Sequence, residues 1–156
     1  MKLRTVLPML AVATFALAAC ASKVDYAKFH EKAVEASKKE SGYKKVTLKG
    51  SSKSSFMGAT VEIKFDHVYE KDGNDWKKTK GEDGAADLAA LAIIVGRVSD
   101  VQEEENTTYY AGSTFKVVYE KDDDKMTEEF NGFGLLTSEK GKANGSEVDL
   151  KVSWSK

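Results

Sequence analysis

The sequence predicts an α+β domain, a twisted antiparallel β-sheet of about seven or eight strands with an N-terminal helix and a central apolar helix packed on one face. Three observations carry this expectation. Apolar and polar residues alternate along several short stretches, most clearly at Val148, Leu150, Val152 and Trp154, which is the pattern of strands with one buried and one wet face. Tyr26, Phe29, Ala33 and Ala36 recur at spacings of three and four, which places them on one side of a helix. Between two groups of strands, residues 83–102 are dense in Ala, Leu, Ile and Val without strand alternation.

In chain order, Asp25 is an N-cap for the first helix, Lys38 and Lys39 fall in its last turn, and Gly42 is its stop, since a short carboxylate satisfies free N–H groups and cations suit a C-terminus. Val46 and Leu48 alternate with lysine and threonine, and Val61, Ile63 and Phe65 with charged residues. Lys71 to Asp75 reads as a turn, and Trp76 opens a return strand. Asp83 or Asp87 is expected to cap the central helix, whose stripe is Leu88, Leu91, Val95, Val98 and Gln102. Alanines and isoleucines make its first half apolar nearly all round, which marks a helix buried or touched on two sides. Tyr109, Phe115, Val117 and Tyr119 resume the alternation. Asp122 to Asp124 is a second turn, and Met126, Phe130 and Leu135 belong to the strands beyond it. The alternation assigns Val61, Ile63, Phe65, Phe115, Val117, Val148, Leu150, Val152 and Trp154 to the buried side, and Glu62, Lys64, Lys116, Asp149 and Lys151 to solvent. Gly58–Phe65, Gly112–Tyr119 and Gly145–Val152 look alike, and convergence of half-buried strands accounts for this without a duplication.

The chain opens with Met1-Lys2-Leu3-Arg4, then an apolar stretch from Thr5 to Ala19 that ends Leu17-Ala18-Ala19-Cys20. The stretch is shorter than the about 20 residues of a membrane span and suits the apolar region of a signal peptide. Its last four residues resemble the lipobox of bacterial lipoproteins. By that resemblance residues 1–19 are a lipoprotein signal peptide, and Cys20 takes a diacylglycerol on its sulfur. The chain is then exported and anchored to a bacterial membrane through its N-terminal lipid, two acyl chains being enough for stable anchoring. Residues 20–24 are expected to be a short membrane-proximal tether and 25–156 a single domain. Cys20 is the only cysteine, so no disulfide forms within the chain.

Loss of Lys2 and Arg4 with the leader takes the formal net charge from −1 to −3. No basic excess remains to recruit nucleic acid. No enzyme motif is present: the serines lack a Gly-x-Ser-x-Gly setting, and His30 and His67 have no cysteine partner in the domain. The turns Asp72-Gly73-Asn74-Asp75 and Asp122-Asp123-Asp124 fall short of a calcium loop, because Trp76 and Met126 occupy the fifth position. No catalytic residue, metal or cofactor is therefore expected.

The element order over residues 25–156 is similar to that of the lipoprotein-carrier family of bacterial envelopes, the LolA and LppX type. That resemblance implies a curved antiparallel sheet wrapping apolar helices around a lipid-binding cavity, and it transfers no functional residue. The expected function is a non-enzymatic, membrane-anchored envelope protein that binds a lipid or other apolar ligand between sheet and central helix. Leu88, Leu91, Ile94, Val95 and Val98 are the expected lining. The alternative is a structural or interaction module that docks an envelope protein partner and has no cavity.

Overall fold

The computed structural model describes residues 21–156; the leader and Cys20 lie outside the described residues. The chain runs β1 (Ala21–Val24), α1 (Tyr26–Ser37), β2 (Lys45–Phe56), β3 (Ala59–Asp72), β4 (Asp75–Lys80), α2 (Ala85–Val95), a 3₁₀ turn (Val98–Asp100), β5 (Thr107–Gly112), β6 (Phe115–Lys121), β7 (Asp124–Phe130), β8 (Leu136–Ala143) and β9 (Ser146–Ser155). All the strands join one open sheet in the order β1-β5-β6-β7-β8-β9-β2-β3-β4, every neighbour antiparallel.

The sheet has nine strands, not seven or eight. The unexpected strand is β1, formed by residues assigned from the sequence to a tether. Its residues pair with β5 from Ala21 opposite Gly112 to Val24 opposite Tyr109. Four residues carry no legible period, and the free backbone edge of β5 supplies the order. The helix at Tyr26–Ser37 is thus preceded by a strand.

Asp25 Oδ1 accepts a hydrogen bond from the Lys28 N–H at 2.8 Å and starts α1. Phe29, Ala33 and Ala36 are buried. The Phe29 ring meets Tyr109 at 5.0 Å and Phe115 at 5.9 Å between centroids, so α1 lies over β5 and β6. The Tyr26 hydroxyl donates to Val101 O at 2.9 Å and ties down the segment after α2.

α2 is shorter than the sequence suggested, and neither aspartate caps it. Gly84 stands at its N-cap, while Asp83 pairs with Lys78 and Asp87 accepts from the Tyr69 hydroxyl. The helix stops where Gly96 turns extended. Arg97 Nη1 then donates to Ile94 O and Gly96 O, satisfying carbonyls that the next helical turn would have used. The Tyr69–Asp87 bond holds α2 over β3, on the same sheet face as α1.

Glycine is required at two points inside strands. Gly50 in β2 has φ +136° and Gly141 in β8 has φ +134°. A Cβ there would stand 1.9 Å from Asp149 O and 2.0 Å from Lys125 O respectively.

The alternation identified the inward face, but not how far the core reaches along each strand. Phe65, Phe115, Val117, Val148, Leu150 and Val152 are buried, while Ile63 and Trp154 pack half-buried at its margin. Val61 is 62% exposed, contrary to expectation. The β2–β3 hairpin strands are 12 and 14 residues long, and their outer ends project past the helices. Among the described residues, no helix is long and apolar enough to cross a membrane.

Candidate ligand-binding cavity

Cross-strand pairing builds one continuous row of inward side chains. Val24 is opposite Tyr109, Tyr109 opposite Val117, Val117 opposite Glu128, and Glu128 opposite Glu139. Glu139 is opposite Leu150, Leu150 opposite Gly50, and Gly50 opposite Phe65. Tyr109, Val117, Leu150 and Phe65 are buried apolar residues. Two carboxylates therefore stand side by side in the middle of an apolar row.

The sequence forces Glu128 inward. Met126 and Phe130 share its parity, and slipping β7 by one residue to expose Glu128 would expose both apolar side chains with it. Glu139 is placed by the β7–β8 register, which shifts at Glu129 and Phe130.

Above this pair lies a cavity of about 540 Å³. The sheet wall includes Val117, Tyr119, Met126, Phe130 and Leu136. The opposite wall is the end of α2 and the segment after it, with Ile93, Gly96, Arg97, Val101 and Glu104. Glu128 and Glu139 lie on its floor. Burial and then the neighbouring charges of Glu139 and Glu104 push the Glu128 carboxyl up to about 7, and burial raises Glu139 as well. Neither carboxylate has a hydrogen bond or ion pair among the described residues. Arg97 also lines the cavity, but its Nη1 is engaged by the α2 carbonyls, and its backbone N–H donates to Asp100 Oδ2 at 2.8 Å.

None of the five residues expected to line a ligand site is on this wall. Ile94 and Val98 are buried in the core, Leu91 packs half-buried against it, and Leu88 and Val95 face solvent at 72% and 67% exposure. The helical stripe was legible, but its rotation about the axis depends on the Tyr69–Asp87 bond and on where the helix stops. The helix side of the cavity falls instead to Ile93 and the residues after Val95. Sequence reasoning missed both glutamates. A signal for one was present: Met126-x-Glu128-x-Phe130 sets a carboxylate at apolar parity. Cys20, the expected lipid attachment, lies outside the described residues.

The histidines form no site. His67 is buried; the Asp66 N–H donates to Nδ1 at 3.2 Å, and Nε2 lies 2.9 Å from Glu82 O. With Nδ1 accepting, Nε2 is the donor to Glu82 O. Among the described residues no cluster of His, Cys, Asp or Glu is arranged to hold a metal. The Asp72 turn is closed by an ion pair with Lys77. Comparison with family models, curated proteins and solved structures finds no match to this chain.

Proposed function

We propose that this protein is a non-enzymatic lipoprotein of the bacterial envelope, anchored through Cys20, that holds an apolar ligand between its sheet and the segment closing over it from α2. The cavity carries this reading. At about 540 Å³ it falls within the roughly 300–1,000 Å³ of small-molecule sites, and its walls are mostly apolar. Cys20 directly precedes β1, so a lipid there is one residue from the sheet and holds the domain close to the bilayer.

Solvent extraction of the purified protein, followed by mass spectrometry, tests the reading. Wild type should release a bound apolar molecule. Ala143→Phe, which adds bulk at the cavity wall, should carry much less of it at an unchanged melting temperature. A wild type that carries nothing and takes up no apolar probe would remove the basis for the proposal.

A second reading, a docking module for an envelope protein, has its own support. Leu88 and Val95 lie two turns apart on the outward side of α2, and Phe56, Met57 and Val61 are exposed on the β2–β3 hairpin. Photo-crosslinking from position 88 in intact membranes tests it: a discrete protein adduct favours docking, and crosslinks to lipid alone count against it.

A further inference from the structure

We infer that the cavity selects a cationic amphiphile, whose apolar chain lies against Met126, Phe130 and Leu136 while a single protonated amine sits between the carboxylates of Glu128 and Glu139. This rests on the cavity reading above and names the chemistry of its ligand.

Glutamates directly opposite in an antiparallel pair bring like charges into repulsion. Here the pair also stands half-buried between buried Val117 and Leu150 on the cavity floor, where screening by water is reduced. Most inward carboxylates in such a place would have a lysine or arginine partner. The sheet supplies none. From β6 the pair is faced by Val117 and Tyr119, and from β9 by Leu150. From the segment after α2 come Asp100, Glu104 and the carbonyl-bound Arg97. The charges acting on Glu128 are those of Glu139 and Glu104, both negative. Asp100, Glu104, Glu128 and Glu139 line the cavity against the single guanidinium of Arg97, so the field opposes an anionic headgroup and favours a cation.

A proton can relieve the repulsion, and the raised titration range of both glutamates shows that it competes. A proton leaves the neighbouring apolar volume unfilled, whereas an ammonium carrying an alkyl chain satisfies the pair and fills the space together. A bare divalent cation is disfavoured, because no three ligating side chains converge among the described residues.

Chain-matched probes test this on the full chain: dodecylammonium, dodecanol and dodecanoate, each below micelle formation, titrated by calorimetry. Dodecylammonium should bind about ten-fold or more tightly than either competitor, as one desolvated charge pair allows. Its affinity should rise several-fold from about pH 5.5 to about pH 8, because ionised carboxylates bind it, while dodecanol stays level. Glu128→Gln and Glu139→Gln should each erase most of the preference for ammonium over dodecanol. That ratio is read within one variant, so partial loss of folded protein does not mimic the effect. If dodecanol or dodecanoate binds as well as dodecylammonium, or if the Gln variants keep the preference, the inference is overturned and the cavity reading survives. If no probe binds, both fall.

Discussion

Glu128 and Glu139 stand directly opposite each other across the β7–β8 pair, on the inward face, with Val117 and Leu150 completing the row on either side. Burial of both, and the charges of Glu139 and Glu104 acting on Glu128, make the fold sensitive to pH in a defined direction. Glu128 titrates at about 7 in the folded chain, against about 4.3 for an unfolded glutamate. Raised in the folded state, it contributes stability that is fully present below the unfolded value and lost as pH rises through about 7. Glu128→Gln should match wild type near pH 4 and exceed it by on the order of 2–3 kcal/mol near pH 8. Urea unfolding of both proteins across this range gives the difference directly. A difference that stays constant with pH would show that Glu128 is not desolvated as described.

The inward register predicts unequal costs along strands of similar pattern. Leu150 is 2% exposed and Val61 is 62% exposed. Leu150→Ala should destabilise by about 2–5 kcal/mol, and Val61→Ala by no more than about 0.5 kcal/mol. Denaturant midpoints decide the matter; comparable losses at the two sites would contradict the projection of the β2–β3 hairpin beyond the core.

The two strand glycines should tolerate no side chain. Gly141→Ala would press a Cβ against Lys125 O in a conformation that L residues rarely adopt, so at least about 2 kcal/mol should be lost. Gly145→Ala is the comparison: its φ of +78° is also left-handed and costs about 1 kcal/mol, but its Cβ would stand 3.3 Å from Ser55 O, so its loss should be the smaller. The same melting temperature for both variants would argue against the close backbone approach at Gly141.

Anchoring is tested at Cys20. Cys20→Ser should release the protein from membranes into the soluble fraction and abolish the lipid mass increment. Retention of the serine variant in the membrane pellet after a high-salt wash, with no lipid on wild type, would exclude the anchor.

An α+β chain with a dominant antiparallel sheet was legible from local pattern, because strand alternation and helical spacing follow from backbone geometry over a few residues. Alternation likewise identified which side of each strand faces inward, and Asp25 announced α1 through the chemistry of its own side chain. Other features depended on partners distant in sequence. Ala21–Val24 is a strand only because β5 offers an edge, and Val61 is exposed only because the helices end short of it. Leu88 and Val95 face water because Tyr69 and Arg97 determine how α2 is held and where it stops. The pairing of Glu128 with Glu139 is of the same kind: parity points one glutamate inward, but the register of β7 on β8 is needed to bring the second beside it. Local periods are written residue by residue, whereas register, depth and rotation are decided by contacts between segments, and the candidate site is built from those.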